Sequence, residues 1–365
     1  MKNENYTKKT YRDKILIVDY ISWTDQKGLP VGHALKAMEE YAEWISKAYD
    51  IVFAAHVAYL RDIIDKEGTL CTLSLPYHLY EGDEYASLRG KIKQLFISWI
   101  NIKSAFKEKE SKYVWFSNVD IFLFFYLLFH KKQRKKTIIT TYLARFPKKY
   151  HNAIVDMVLP DIKLLIYSNR EIAYIGNNKI YIPDYLYVEE KYKKYRKKNK
   201  KQEAVCLGKM GPQKELRRLV CAFNANGFPL KIIGKFSDNG LFRELKEKAY
   251  SNVIIEDKYL CYDDYLKILG EAEYSILPYK EEIYSDKTSG VLLESIFLDA
   301  IPITNIKLLQ KWKVSGIGYK DINELGAVKM DTANKDSNVQ NNRDIIKRYF
   351  TPENYIKKLK KILSE

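Results

Sequence analysis

The sequence predicts an α/β protein built from two successive Rossmann-like halves. Three observations predict it. Short apolar runs of strand length alternate with periodic stretches of helix length; a basic segment near the middle interrupts this alternation, which then restarts; and 365 residues, 46% hydrophobic and 30% charged, suffice for two domains with solid cores. Such alternation implies parallel sheets with helices on both faces. The composition also excludes a globally disordered chain and a small disulfide-stapled scaffold.

Taken in order, Ile15-Leu16-Ile17-Val18-Asp19-Tyr20 is an apolar run that ends in polar and glycine-containing residues, and a periodic stretch over 34–45 follows, giving strand, loop and helix. Strands are then expected at 51–55 and 113–117, a helix at 119–129, and strands at 137–141 and 163–167. The longest strongly apolar run is Ile121 to Phe129, nine residues. A membrane-spanning helix needs roughly 20, so no span is predicted. Over 88–106, Leu88, Ile92, Leu95, Phe96, Trp99 and Phe106 lie among Arg89, Lys91, Lys93 and Lys103. That pattern suits an amphipathic helix, either packed on its own domain or lying at an anionic membrane surface.

Residues 189–201 carry eight basic and two acidic side chains, the composition of a solvated linker or exposed helix end. Alternation resumes with strands at 204–207, 230–233, 253–255, 274–277 and 301–304, and helices at 214–224, 241–249, 262–269 and 290–298; residues 343–363 are helix-like around Pro352. The expected domains are therefore 1–188 and 203–340, joined by a linker at 189–202, with helices in 341–365 crossing back to the first domain.

Lys and Arg number 62 against 46 Asp and Glu, a net charge of +16 that attracts nucleic acid, anionic lipid or a phosphorylated small molecule. The 30 tyrosines are spread over the whole chain without an RNA-binding aromatic motif, so nucleic acid is not the expected partner. The amino end has no apolar segment of secretory type, which points to the cytoplasm. Cys71, Cys206, Cys221 and Cys261 form no C-x-x-C pair and are expected to be reduced, buried thiols.

The candidate chemistry lies in the second half. The strand at 204–207 runs into Gly208-Lys209-Met210-Gly211-Pro212-Gln213-Lys214, which places glycines and lysines at the carboxyl end of a parallel strand. Ligands of open α/β sheets bind there, and lysines supply charge to a diphosphate. Further on, Thr288-Ser289-Gly290 leads into a helix whose free N–H groups suit phosphate. Glu294, about one turn in, is placed to accept hydrogen bonds from two vicinal hydroxyls, as on a ribose. Asp263 and Asp264 read as residues of a helix start.

Together these segments resemble the nucleotide-sugar-dependent glycosyltransferases of the GT-B fold, in particular the retaining, glycogen-synthase-like branch (family 4, group 1). The resemblance covers 204–304 and is carried by Gly208-Lys209 with Lys214, Leu230-Lys231-Ile232-Ile233-Gly234, Val253-Ile254-Ile255, Tyr274-Ser275-Ile276-Leu277-Pro278 and Ser289-Gly290-Val291-Leu292-Leu293-Glu294. It implies two Rossmann-like domains facing across a cleft, the first binding the acceptor and the second the donor. Lys209 (usually Arg in the family) and Lys214 would hold the donor diphosphate. Asp286 and Glu294, with seven residues between them, take the places of the family's acidic pair, the second on ribose and the first near the donor sugar. Asp stands where the family has Glu, and Thr288-Ser289-Gly290 stands for Gly-Phe-Gly. The base would lie near Lys258-Tyr259-Leu260. In the first half the segment to watch is Gly28-Leu29-Pro30-Val31-Gly32-His33, where Gly32 allows close approach and His33 contacts phosphate or acts on the acceptor hydroxyl. The family's histidine after the strand at 137–141 is replaced here, the chain reading Thr140-Thr141-Tyr142.

No Asp-x-Asp triplet ends a strand, and the family works without metal, so no cofactor is expected. The implied activity is transfer of a hexose from a UDP-sugar to a glycan or lipid-linked glycan acceptor in bacterial surface polysaccharide or glycoconjugate synthesis, in the cytoplasm or peripherally on the inner face of an anionic membrane. The alternative is a non-catalytic GT-B-like subunit that binds a sugar nucleotide or a partner enzyme.

Overall fold

A computed structural model describes residues 12–24, 34–58, 60, 71–80, 87–141, 146, 148–168, 174, 176–281, 289–329 and 334–364. The chain divides into two compact units, one formed by Met1–Pro183 with Tyr355–Glu365 and the other by Asp184–Asn354.

In the first unit the elements run β1 (Lys14–Val18), β2 (Trp23–Thr24), α1 (Ala34–Ile45), β3 (Asp50–His56), β4 (Cys71–Leu75), β5 (Leu79–Tyr80), α2 (Leu88–Ala105), β6 (Tyr113–Phe116), α3 (Ile121–Phe129), α4 (Lys131–Arg134), β7 (Thr137–Thr141), α5 (Lys149–Val158), β8 (Leu164–Tyr167) and β9 (Lys179–Tyr181). Seven strands pair in parallel in the order β4-β3-β1-β6-β7-β8-β9, while β2 and β5 form a separate short pair. The central strands are buried on both faces, as the apolar runs of β1 and β6 require, and β7 buries three threonines beside its two isoleucines. On one face Leu16, Val18, Phe116 and Ile139 meet Ile102 and Phe106 at the end of α2 and Leu123 and Tyr126 of α3. Across the sheet Trp115 packs on Tyr41 and Trp44 of α1, at ring-centroid distances of 4.8 and 6.4 Å, and its Nε1–H donates to Thr140 Oγ1 at 2.8 Å.

The second unit continues with α6 (Glu189–Lys193), β10 (Lys201–Leu207), α7 (Leu216–Asn226), β11 (Leu230–Gly234), α8 (Asn239–Lys248), β12 (Val253–Asp257), α9 (Tyr262–Glu271), β13 (Ala272–Leu277), α10 (Gly290–Phe297), β14 (Ile301–Asn305), α11 (Ile306–Trp312), β15 (Ile317–Tyr319) and α12 (Lys335–Tyr349). Its six strands are parallel in the order β12-β11-β10-β13-β14-β15. Alternate residues feed two cores. Val205, Leu207, Ile233 and Leu277 pack with α9 and α10, whereas Ala204, Cys206, Ile232 and Ile276 pack with Leu219, Val220 and Phe223 of α7. The final helix, α13 (Pro352–Ser364), belongs from Tyr355 onward to the first unit, where it buries Leu359 and Leu363 and its Leu363 carbonyl accepts from the Tyr113 hydroxyl.

Five strands are not announced by the sequence pattern: β2 and β5, two residues each, form the separate short pair, and β4, β9 and β15 lie at edges of the two large sheets. The three edge strands are partly wetted and short or interrupted by polar residues or glycine, so none reads as an apolar run. The basic stretch over 189–202 is partly built into the second unit: Tyr192 on α6 is fully buried against Phe297, while Lys193 and Lys194 point to water. One turn of helix can thus hide a single aromatic among lysines. The expectation of four buried thiols is corrected, because only Cys206 is buried. Cys71 opens an edge strand, Cys221 sits on the wet side of α7, and Cys261 caps α9 by accepting from the Asp264 N–H at 3.4 Å.

The core of the second unit converges on Phe297, whose ring lies 5.1 to 5.9 Å from those of Tyr192, Tyr187 and Phe350. Phe297→Ala should cost about 3–5 kcal/mol of unfolding free energy by chemical denaturation. A loss below about 1 kcal/mol would mean that these four rings do not form the close-packed centre described.

Candidate functional site

Both sheets reverse their direction of winding beside their first long strand, between β10 and β13 in the second unit and between β1 and β6 in the first. Crevices at the carboxyl ends of such strand pairs are where open α/β sheets bind ligands.

In the second unit, β10 ends at Gly208, whose φ of +95° is one that glycine adopts without strain. A Cβ on Gly234, at the end of β11, would stand 1.7 Å from the Gly208 carbonyl oxygen, so the two strand ends meet only because residue 234 has no side chain. The loop after Gly208 is then tied on both sides. Met210 N–H donates to Lys235 O and Ser237 N–H to Met210 O, each at 2.9 Å; on the β13 side, Glu215 N–H donates to Pro278 O at 2.8 Å and Lys280 N–H to Gln213 O at 3.1 Å. These bonds keep residues 214 and 215 out of the helix predicted from 214, and α7 begins at Leu216.

Lys214 turns inward. Only 8% exposed, it donates from Nζ to Leu207 O at 2.8 Å, near the sulfurs of Cys206 and Met210 and 6.0 Å from the centre of the Tyr279 ring. Burial lowers the pKa of this ammonium. The Tyr279 hydroxyl accepts from Ser289 Oγ at 3.2 Å, and Ser289 caps α10 by accepting from Leu292 N–H at 3.2 Å. A chain of contacts, Lys214 to Tyr279 to Ser289, therefore joins the two segments singled out in the sequence. Gly290 is required for a further reason, since a Cβ there would lie 2.7 Å from the Tyr185 ring.

Glu294 is not a solvated helix residue. It is 2% exposed, and its Oε1 accepts from the Tyr262 hydroxyl at 2.7 Å. Tyr265 beside it has its hydroxyl pKa raised well above the ordinary range, first by burial and then by the Glu294 carboxylate. Lys209, Lys258 and Tyr259 are exposed on strand-end loops of the same sheet edge, with Lys258 N–H donating to Gly234 O at 3.1 Å. Asp263 and Asp264 occupy the first turn of α9, with the Tyr195 hydroxyl on Asp263. Gly32, His33, Asp286 and Thr288 lie outside the described residues.

At the corresponding edge of the first unit the structure gathers polar residues that the sequence reading did not single out. Asp19 is fully buried just after β1; its Oδ1 accepts from the N–H groups of Ile21 and Ser22 at 3.1 and 3.2 Å, while its Oδ2 has no hydrogen-bond partner among the described residues. Ser22, at φ +48°, donates from Oγ to Asp19 O and accepts from His56 N–H. His56 Nδ1 accepts from Ala58 N–H at 3.3 Å, which puts its own proton on Nε2, 3.2 Å from His78 Nδ1. Burial lowers the pKa of His78, favouring the neutral ring that this bond needs. Asn101 clamps the Tyr20 and Tyr77 carbonyls at 2.8 Å each, and the Tyr20 hydroxyl donates to Asp120 Oδ1 at 2.6 Å. A polar residue directly after each apolar strand, Asp19 after Val18 and His56 after Ala55, was the available signal.

By sequence the chain matches no protein-family model and no curated protein. By structure it is similar to OtsA trehalose-6-phosphate synthase (TM-score 0.66, 10% identity, 97% of this chain and 99% of that one). It is also similar to Anabaena Alr3699/HepE, solved in complex with UDP and glucose (TM-score 0.60, 11% identity, 97% and 100%). A third likeness is to AviGT4, a glycosyltransferase involved in avilamycin A biosynthesis (TM-score 0.58, 12% identity, 96% and 98%). The class follows from these likenesses: the chain is an α/β protein of GT-B architecture.

Gly234→Ala should destabilise the second unit by about 2–4 kcal/mol in chemical denaturation, because the new methyl group meets backbone that is bonded on both sides. Wild-type stability in that variant would contradict the close approach. In the first unit, burial pushes the Asp19 carboxyl from 3.8 up to about 6, so the folded state binds more protons than the unfolded state within that window. Asp120 is pushed in the same direction by burial. Stability from Asp19 therefore falls as pH rises, by about 1 kcal/mol between roughly pH 5 and 7.5. Asp19→Asn should remove that slope from denaturation midpoints measured across the range; an unchanged slope would mean that Asp19 is not the titrating group.

Proposed function

We propose that the protein is a glycosyltransferase that moves a hexose from a UDP-sugar to a glycan or lipid-linked glycan acceptor, with retention and without a metal, in bacterial surface polysaccharide or glycoconjugate synthesis. The observation that carries this reading is the linkage of Lys214, Tyr279 and Ser289. It sets a buried ammonium and a capped helix N-terminus beside one switch point, an arrangement suited to a diphosphate. The HepE structure, solved in complex with UDP and glucose, supports the donor class.

In this reading the departing nucleoside diphosphate is stabilised by Lys209, by the positive field of Lys214 beneath the loop and by the N–H groups at the start of α10. Glu294, held by Tyr262, accepts from the two ribose hydroxyls. Lys258 and Tyr259 border the base, Gly208 and Gly290 let backbone approach the donor, and Asp286 stands near the sugar. Gly32 lets the loop after β1 approach the donor closely, His33 contacts phosphate or acts on the acceptor hydroxyl, and the cluster of Asp19, Ser22, His56 and His78 holds acceptor hydroxyls. The reaction takes place in the cytoplasm, at an anionic membrane surface when the acceptor is lipid-linked.

Calorimetry and thermal shift against UDP, GDP, CMP and their sugar conjugates test the reading. Saturable binding of a uridine nucleotide, weakened about tenfold or more in Glu294→Ala and Lys214→Ala, is the expected result. No nucleotide binding, or equal binding by wild type and both variants, would overturn it. Binding of a donor that is never hydrolysed or transferred would favour the non-catalytic alternative.

A further inference from the structure

We propose that the outer face of α2, continued by the end of α3, is a docking surface for an anionic lipid bilayer. The helix is capped at Ser87, whose side chain accepts from Gly90 N–H at 3.0 Å, and it buries Gly90, Ile97, Ser98, Asn101, Ile102 and Ala105 against its own unit. The opposite face is not polar. Leu88, Ile92 and Phe96, one helical turn apart, are 76%, 59% and 64% exposed. Trp99, next along this face, contacts the rings of Phe125 and Phe129 at 6.4 and 6.5 Å, and Phe129 at the end of α3 is itself 64% exposed. Large apolar side chains lined up in water mark a surface with a partner.

The charge beside the stripe identifies that partner. Between Leu88 and Lys107 there is no acidic residue, and Arg89, Lys91, Lys93, Lys103 and Lys107 are all exposed; between Ile121 and Lys136 there is again no carboxylate, and Lys131, Lys132 and Lys135 are exposed. On a helical wheel Arg89 and Lys93 flank the stripe on one side and Lys91 on the other, while Lys103 continues the line of the stripe about two turns beyond Phe96. Exposed leucine, isoleucine and phenylalanine with arginine and lysine on both sides along the helix fit an interface that offers acyl chains bordered by negative headgroups. No helix among the described residues is long and apolar enough to cross a membrane, so the association is peripheral. Docking rests on the lipid-linked acceptor reading for its purpose, but vesicle binding and nucleotide binding are measured separately, so either can fail alone.

The experiment is co-sedimentation of the full chain with sucrose-loaded vesicles of mixed phosphatidylcholine and phosphatidylglycerol, against vesicles of phosphatidylcholine alone. Wild type should partition onto the mixed vesicles and not the neutral ones, and should be released near 1 M salt, where the Debye length is about 3 Å. The triple variant L88S/I92S/F96S and the double variant R89E/K91E should each partition at least about tenfold less, with unchanged melting temperature and nucleotide binding. The proposal is overturned if wild type binds neither vesicle, or if the triple variant partitions as wild type does. It is equally overturned if sedimentation velocity shows a wild-type dimer that the triple variant converts to monomer, since a second copy would then cover the stripe.

Discussion

The geometry of the second unit depends on one approach of backbone to backbone: the Gly208 carbonyl occupies the space where residue 234 would carry a side chain. With β10 and β11 that close at their carboxyl ends, Met210 comes into register with Phe236, and Lys214 with Tyr279 on the other flank. A loop bonded on both sides has few conformations left, and Lys214 is folded beneath it rather than released to water. The helix cap at Ser289 is joined to the same assembly through the Tyr279 hydroxyl. What makes the site is therefore a backbone constraint first, with the charged side chains placed by it.

The two units use one topology for opposite electrostatics. Each reverses its winding beside its first long strand and leaves a crevice there. In the second unit a lysine and a helix N-terminus gather at that point, which favours an anion. In the first unit the buried Asp19 and the half-buried Asp120 stand at the equivalent place, each with its carboxyl pushed upward by desolvation. Carboxyl groups exchange hydrogen bonds with hydroxyls and disfavour phosphate, so the two crevices suit chemically different ligands.

The basic surplus is also divided by the fold. Arg196 and Arg343 both meet Asp299, and Lys335 meets the buried Glu273, so these charges hold the second unit together. Those on α2 and after α3 have a different setting, spread around exposed apolar side chains on the first unit. Net charge alone does not distinguish these two uses; location does.

Much of the fold was legible because central strands of a parallel sheet are covered on both faces, and β1 and β6 are read directly from the apolar runs this demands. Edge strands are freed from this rule, and β4, β9 and β15 were missed because they are short or interrupted by polar residues or glycine, whereas the edge strand β12 was legible from Val253-Ile254-Ile255. The pattern Ser289-Gly290 to Glu294 likewise marked a helix start and a carboxylate one turn on, since capping and helical spacing are local properties. By itself, then, the sequence determined the α/β class, the two halves, the glycine-lysine loop and the capped helix. Only the tertiary structure decided that Lys214 points inward, that Glu294 is buried under Tyr262, that Gly234 rather than Gly208 is the glycine of closest approach, and that Asp19, His56 and His78 share one strand edge. Each of these depends on which strands become neighbours, and a pairing between residues dozens of positions apart leaves no trace in local spacing.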